Sequence, residues 1–376
     1  MKELHTIYLS LGSNLGNKFE QLQMAVDFLF EEIGSIEKIS SVYQTPALGF
    51  TGEDFYNCVV CLHSHLSPKK LIKKILSIEK KMGRNRDKTQ RYTSRTIDID
   101  ILYIDAMQVE EKNLIIPHPH IQNRKFVLMP LAEINAHFIH PKFQKNAIWL
   151  LAKTEDKSEV VKISKWLKNP KTAFSISKYN YIAIEGNIGA GKTSLASQMA
   201  SDFNAKLILE RFKENPFLPK FYQEPNRYAF PLEMSFLADR YQQLVEDITQ
   251  FDLFKECVIA DYDVYKSMIF AKITLSEEEL TLYKKLFHLM HKELPKPDLY
   301  IYLYQTTNRL LDNIQKRGRK YEKRIEASYL SKINEGYLEF IKTQHSGNVK
   351  IIDVSERDFV NQRKDYLCIL REIITP

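Results

Sequence analysis

Cysteine is scarce in this chain, with four in 376 residues, too few for the disulfide framework of a small secreted domain. Cys58 and Cys61 have C-x-x-C spacing but sit in an apolar run, Phe55 to Leu62, that reads as a strand. Residues three apart in a strand face opposite sides, so neither a shared metal nor a redox bond is expected. No apolar run reaches the ~18 residues of a membrane span. The opening residues, Met1 to Tyr8, lack the apolar core of a secretion signal, so the expected location is cytoplasmic. Glycine and proline are few, at 12 and 14, and there is no internal repeat or low-complexity stretch, which leaves an ordinary globular composition. The net charge of +7 is mild. The cations gather in two short loops, around 84–95 and 317–324, instead of forming a stripe with interleaved aromatics. That pattern favours small anionic ligands and argues against nucleic acid.

A chain of this length exceeds what one hydrophobic core usually supports, so two domains are expected. Strand-like alternation covers Thr6–Leu11, Ile36–Tyr43, Tyr56–His63 and Ile97–Ile104, with helical patterns over Phe19–Ile33 and Pro68–Met82. These predict an α+β domain over residues 1–166. The pattern weakens afterwards, and residues 167–178 are expected to be a linker. Over 179–376, apolar runs at Tyr181–Ile184, Leu207–Leu209, Cys257–Ala260 and Leu299–Leu303 alternate with long helices, which predicts an α/β domain with a parallel sheet flanked by helices.

Gly186-Asn187-Ile188-Gly189-Ala190-Gly191-Lys192-Thr193 spells G-x-x-x-x-G-K-S/T between an apolar strand pattern and a helix pattern. Glycines there let backbone N–H groups close on phosphate oxygens, Lys192 reaches the outer phosphates, and the Thr193 hydroxyl can hold Mg²⁺. The second domain is thereby expected to bind a nucleoside triphosphate, ATP.

In the first domain, Asp98 and Asp100 are two apart in a strand pattern, so both carboxylates share one face while Ile97, Ile99 and Ile101 take the other. Mg²⁺ is the natural occupant of such a pair, although a solvated strand face also fits the pair taken alone. Just upstream, Gly83 to Arg95 is a cationic stretch without apolar periodicity. Arg84, Arg91 and Arg95 there can neutralise a polyphosphate as charge develops during transfer. His118 and His120 lack a third soft ligand for a metal site of their own.

These features, with Leu11-Gly12-Ser13-Asn14-Leu15-Gly16, Tyr43 to Gly49, Phe55-Tyr56-Asn57, Glu79 before Gly83-Arg84, and Pro117-His118, make residues 4–166 similar to the 6-hydroxymethyl-7,8-dihydropterin pyrophosphokinases. The resemblance implies a ferredoxin-like fold and transfer of diphosphate from ATP to the pterin hydroxymethyl oxygen, releasing AMP. It implies that Asp98 and Asp100 hold two Mg²⁺ ions. Thr45, Leu48 and Asn57 would hold the pterin, stacked between Phe55 and Phe126. Glu79, Arg91, His118 and Arg124 would line the ATP site, with Arg84 and Arg95 as catalytic cations. Where some members carry Trp in the loop, this chain has Tyr92.

In the second domain, Glu210 ends a strand pattern on the side where parallel sheets bind ligands, and could take a proton from a hydroxyl acceptor. Arg317-Gly318-Arg319-Lys320-Tyr321-Glu322 suits a lid that closes on phosphates. Read singly, each also fits an ordinary surface charge. Together with Asn215-Pro216-Phe217-Leu218, Phe221-Tyr222, Arg227 to Phe230 and Lys296 to Leu303, they make the chain from about Tyr179 onward similar to the deoxynucleoside kinases. The resemblance implies phosphorylation of a 5′-hydroxyl with release of ADP. Glu210 would be the base, and Lys192, Arg317 and Arg319 the phosphate clamp. Tyr222 and Glu322 would contact the 3′-hydroxyl, Glu233 and Asp261 would line the deoxynucleoside site, and Thr193 would hold one Mg²⁺. It also implies a homodimer through helices of this half.

Two departures stand out. Asp261-Tyr262-Asp263 replaces an acid-Arg-Ser run, and the missing arginine leaves Arg211 or Lys266 as its substitute. Glu233 replaces a glutamine, which alters how a base is read, since an ionised carboxylate only accepts hydrogen bonds. The Asn215 to Leu218 run favours a purine. The expectation is a fused, two-site transferase. Its rival is an active pterin enzyme joined to a nucleotide-sensing module that has lost catalysis.

Overall fold

The computed structural model describes residues 3–84, 93–211, 215–249, 255–292, 294–343 and 348–375. Arg91 and Tyr92 therefore lie outside the described residues. The chain divides into two compact units, Met1–Phe174 and Ser175–Pro376.

The first unit runs β1 (His5–Ser13), α1 (Lys18–Glu32), β2 (Ser35–Ile39), β3 (Tyr43–Thr45), β4 (Phe55–Ser64), α2 (Pro68–Lys81), β5 (Asp98–Ile104), β6 (Val109–Glu111), β7 (Leu114–Ile116), α3 (Lys125–Asn135), α4 (Ala147–Lys153) and β8 (Val161–Lys162). An antiparallel sheet is ordered β5-β1-β4-β3-β8, with β2 also pairing β4. The expected strand Ile36–Tyr43 is in fact two strands. At the break the Ser40 hydroxyl accepts from Val59 N–H at 2.9 Å, replacing a backbone carbonyl in the ladder. One sheet face is covered by α1 and α2, which bury Leu22, Val26, Leu29, Leu71, Ile75 and Ile78. Tyr8, Val59, Cys61 and Leu102 pack with Val127, Leu128 and Leu131 of α3 on the other face. Cys61 lies opposite Tyr8 and Cys58 opposite Leu11, so the two thiols sit on opposite faces.

The stretch expected as linker is split. Up to Phe174 it packs on the first unit: Lys168 N–H donates to Gln23 at 2.8 Å, Asn169 Nδ2 donates to Ile36 O at 3.2 Å, and the Phe174 ring lies 5.6 Å from that of Phe30. A buried aromatic in a polar stretch is what the composition argument overlooked.

The second unit runs β9 (Tyr181–Gly186), α5 (Lys192–Asp202), β10 (Lys206–Ile208), α6 (Leu218–Phe221), α7 (Pro225–Thr249), β11 (Val258–Ala260), α8 (Tyr265–Thr274), α9 (Glu277–His291), β12 (Leu299–Tyr304), α10 (Thr307–Arg317), α11 (Ala327–Thr343), β13 (Val349–Asp353) and α12 (Arg363–Ile374). Its sheet is parallel throughout, ordered β10-β11-β9-β12-β13. Tyr181, Ala183, Ala260, Tyr300 and Tyr302 pack against α7, α8, α9 and α11, while α5 packs against β9, β10 and β11. Helices on a parallel sheet are what its unbroken apolar strands require. Among the described residues no helix is long and apolar enough to cross a membrane.

Candidate active sites

In the first unit, strand register decides which residues meet. Asp98 lies opposite Gly12, and Gly12 opposite Asn57; Asp100 lies opposite Ser10, and Thr45 opposite Phe55. Directly opposed residues share a face, so Asp98, Asp100, Asn57, Thr45 and Phe55 all project to the side that α3 covers farther along. Gly12 keeps the row open, since a Cβ there would stand 2.8 Å from Asn57 Oδ1. Asn57 Nδ2 donates to Thr45 Oγ1 at 2.8 Å. Leu48 is exposed, and Phe55 and Phe126 are half-buried, each with an arginine over its ring: Arg95 at 5.8 Å and Arg124 at 5.7 Å.

Charge concentrates on the two aspartates. Arg84 bridges the buried Glu79 and Asp98, while Arg95 donates to the other Asp98 oxygen at 2.5 Å. Glu79 is oriented by Ile99 N–H at 2.9 Å. Asp100 lies 3.6 Å from Arg124 and 3.8 Å from His118. Burial first, and then the Asp98 charge, raise the Asp100 carboxyl to about 6. Burial and the neighbouring Arg124 lower the His118 imidazole to about 4, so it is neutral at neutral pH. Two hard-oxygen carboxylates on one face, one of them resisting ionisation beside the other, fit a divalent cation. Among the described residues no third His, Cys, Asp or Glu completes a metal cluster with them; further ligands would come from triphosphate and water.

Asn14, within the Leu11–Gly16 motif, is fully buried and ties two loops together. Its side chain accepts from Arg95 N–H at 2.7 Å and donates to Ser94 Oγ and Glu53 O. The amide needs partners at three points in space, which the sequence does not display.

In the second unit, the loop from Gly186 to Gly191 leaves the carboxyl end of β9 and opens α5. Gly191 caps that helix at φ +90°, and a Cβ there would come 2.6 Å from the Phe359 ring. Asn187 turns its side chain inward, donating to Leu330 O and Asn334 Oδ1, so it anchors the loop to α11. Lys192 Nζ folds back onto Gly186 O at 2.8 Å and Asn187 O at 3.0 Å. Burial and the charge of Lys266 lower its ammonium to about 8.

Around this loop lies a cleft open to solvent. Gly189, Lys192, Thr193, Glu210, Tyr222, Glu233, Asp261, Arg317, Arg319 and Glu322 line it, so the residues expected from sequence converge. Asp261 accepts from the Thr193 hydroxyl on one oxygen and from Glu210 N–H at 2.8 Å on the other. That couples the ends of β10 and β11 to the loop. Thr193 and its carboxylate neighbour form a hard-oxygen set that suits Mg²⁺. Arg317 and Arg319 are both held by the buried Glu322, at 2.7 and 3.1 Å. The Tyr222 ring stacks on Tyr321 at 5.9 Å.

Glu210 carries two cations. Arg240 donates to Oε1 through Nε at 2.9 Å and NH2 at 2.6 Å, and Lys266 Nζ donates to Oε2 at 2.6 Å. Burial alone would push this carboxyl up, but Lys266 and Arg240 together hold it well below the usual carboxylate range. Between Arg211 and Lys266, the structure favours Lys266: Arg211 is exposed, and Tyr262 is buried in the core. Sequence reasoning missed Arg240. It sits mid-helix in α7 amid ordinary polar residues, and a buried arginine there becomes visible only once α7 packs beside the end of β10.

Residues 182–375 match the deoxynucleoside kinase family, and residues 8–136 match the 7,8-dihydro-6-hydroxymethylpterin-pyrophosphokinase family. A deoxyguanosine kinase of Bacillus subtilis is 42% identical over 190 residues, covering 50% of this chain and 92% of that protein. A deoxyadenosine kinase of Dictyostelium discoideum is 31% identical over 186 residues, covering 48% and 74%. A 2-amino-4-hydroxy-6-hydroxymethyldihydropteridine pyrophosphokinase of Synechocystis sp. is 36% identical over 155 residues, covering 41% and 78%. With two compact units, two separate sites and two separate matches, the chain belongs to the hydroxymethylpterin pyrophosphokinase family through its first half and to the deoxynucleoside kinase family through its second.

Proposed function

We propose that this chain is a bifunctional ATP-dependent transferase, diphosphorylating 6-hydroxymethyl-7,8-dihydropterin in its first half and phosphorylating deoxynucleosides in its second. The observation that carries the reading is that each unit gathers its own acceptor-side and phosphate-side residues in one place, at Asp98/Asp100 with Asn57 and at Lys192/Thr193 with Glu210.

In the first half, the sheet order β5-β1-β4-β2 with α1 and α2 on one face supports a ferredoxin-like core. Asn57 and Thr45 hold the pterin edge, and Phe55 and Phe126 supply aromatic faces. The hydroxymethyl oxygen bonds to the β-phosphorus of ATP and releases its proton to solvent, the bond from that phosphorus to the α–β bridging oxygen breaks, and AMP leaves. Arg84, Arg95 and Arg124 meet the charge that builds on the phosphates, with His118 a neutral hydrogen-bonding group among them. Asp98 and Asp100 would hold Mg²⁺, which when bound neutralises the triphosphate.

In the second half, Lys192 and the loop amides receive the phosphates, and Arg317 and Arg319 close from the lid side. Glu210 accepts the proton of the 5′-hydroxyl as its oxygen bonds to the γ-phosphorus, and ADP leaves. Thr193 would hold the accompanying Mg²⁺. Glu233 and Tyr222 bound the deoxynucleoside. The names of the Bacillus and Dictyostelium relatives support a purine base. The nucleotide-sensing alternative is disfavoured because a cation does reach Glu210 despite the loss of arginine at Tyr262.

The test is to incubate the protein with Mg-ATP and either the hydroxymethyl-dihydropterin or each of the four deoxynucleosides, and to quantify AMP and ADP. AMP with the pterin and ADP with a purine deoxynucleoside are expected. Deoxynucleoside binding without ADP release would return the second half to the sensing reading.

A further inference from the structure

The helix that carries Phe126 starts without a side-chain cap of its own. Arg124 stands at the N-cap of α3, and a guanidinium has no acceptor to offer the orphan N–H groups of the first turn. Its charge is turned instead to Asp100 at 3.6 Å and to the Phe126 ring at 5.7 Å. The acceptor comes from 31 residues farther along, where Asp156 Oδ2 takes the Lys125 N–H at 2.8 Å. The other Asp156 oxygen takes Ser158 N–H at 2.9 Å, which fixes the carboxylate in its own turn, and Lys125 Nζ donates to Ser158 O at 3.0 Å. A carboxylate on the first N–H of a helix also meets the positive end of the helix dipole.

The same segment reaches β3. Val161 and Lys162 form β8 opposite Gln44 and Tyr43, and Ile163 N–H donates to Val42 O at 3.0 Å. Lys162 Nζ then returns to α3, donating to Glu133 at 3.1 Å. Glu133 also receives the Ser41 N–H at 2.9 Å and the Tyr43 hydroxyl at 3.2 Å. Residues 154–163 are thus a strap with one end on the start of α3 and the other along β3. Those two elements bear Phe126 and Thr45, the one offering a ring face and the other a polar edge to the proposed pterin site. The strap lies beyond residues 8–136, the part that matches the pyrophosphokinase family.

We propose that Asp156 is a positioning residue for pterin diphosphorylation: it holds the first turn of α3 so that Phe126 presents its ring to the pterin and Arg124 its guanidinium to the triphosphate. This rests on the pyrophosphokinase reading of the first half. Arg124 and Phe126 flank Lys125 directly, so the peptide N–H that Asp156 holds sets the direction from which both side chains depart. Phe126 is half-buried, so little packing holds the ring if that peptide is released. Glu133, gripped from β3 and β8 at once, secures the far end of the same helix. The near end is therefore the part that a lost cap frees, and helix ends open locally well before the fold does.

The full-length protein is compared with Asp156→Ala and with Asp156→Asn, which keeps an oxygen able to accept the Lys125 N–H. Binding of 6-hydroxymethyl-7,8-dihydropterin is titrated by calorimetry beside a non-hydrolysable ATP analogue, and AMP release is followed with Mg-ATP. Losing a cap shifts a helix-end equilibrium about fivefold, so Asp156→Ala should raise the pterin Kd and KM by about that factor, with Asp156→Asn within about twofold of wild type. In a Phe126→Leu background the aromatic face is already gone, and Asp156→Ala should then change the pterin Kd by less than about twofold. Deuterium uptake over the first turn of α3 should rise in Asp156→Ala and not in Asp156→Asn, while α1 and α2 keep their protection. A pterin Kd within about twofold of wild type in Asp156→Ala, or the full effect persisting in Phe126→Leu, would overturn the proposal. Uptake rising alike over α1 and α2 would make Asp156 a residue of the fold alone and overturn it too. A wild type that releases no AMP with the pterin removes the pyrophosphokinase reading, and this role of Asp156 with it.

Discussion

Glu233 is 2% exposed in the cleft, with the Thr274 hydroxyl donating to it at 3.2 Å. Burial, offset in part by the Arg240 charge, raises its carboxyl to about 7. Below that pH it is protonated, and one group both donates and accepts, as glutamine does; above it the carboxylate only accepts. Guanine offers two donors on its pairing edge, N1–H and the amino group, whereas adenine offers one donor and one acceptor. If Glu233 reads the base, the ratio of kcat/KM for deoxyguanosine over deoxyadenosine should rise up to about tenfold as pH passes from roughly 6 to 8. Glu233→Gln should flatten that rise, and an unchanged slope in the variant would separate Glu233 from base reading. The sequence exposed the substitution but not its consequence, because it shows the carboxyl and not the apolar walls that change its protonation. Asp98 and Asp100 were readable for the opposite reason: strand alternation alone puts them on one face, and register then adds Gly12 and Asn57.

Among the elements, the turn from β9 into α5 was the most readable, because its glycines answer to local sterics. Gly191 must adopt φ +90° and must leave room for the Phe359 ring. Gly191→Ala should therefore lose about 1–2 kcal/mol from the left-handed conformation alone, plus the cost of displacing the ring. The expected outcome is a lower denaturation midpoint and a raised KM for ATP in the kinase reaction. Phe359→Leu in the same chain should restore part of the ATP KM, since it removes the clashing ring tip and not the φ penalty. Full restoration would mean that the ring contact, and not the backbone, sets the requirement. The β2–β3 break was hidden because Ser40 reads as an ordinary strand residue until its hydroxyl replaces a ladder carbonyl. The short strands β6 and β7 were equally hidden: three residues each carry too little alternation to register.

At the scale of the whole molecule, the midchain position of the phosphate loop already required two cores, and the chain has them, around Tyr8, Val59, Leu128 and Leu131 in one unit and Tyr181, Tyr300, Ile333 and Tyr337 in the other. Their boundary was harder to see, because Phe174 sits in a polar stretch and shows its allegiance only by packing on Phe30. Each unit holds its own acidic and basic chemistry, so damage to one site should stay there. Asp98→Ala removes the carboxylate that Arg84 and Arg95 share, and should cost pterin diphosphorylation on the order of 10³-fold while deoxynucleoside phosphorylation stays within about twofold. Lys192→Ala should do the reverse, by a similar factor, because the phosphates lose the cation this loop supplies. AMP and ADP measured in one mixture with both acceptors and saturating ATP give the two rates side by side. Additive rates and one-sided losses mean two independent enzymes on one chain. A variant that is damaged at one site, still folded, and slowed at both would show instead that ligand occupancy in one half is felt in the other.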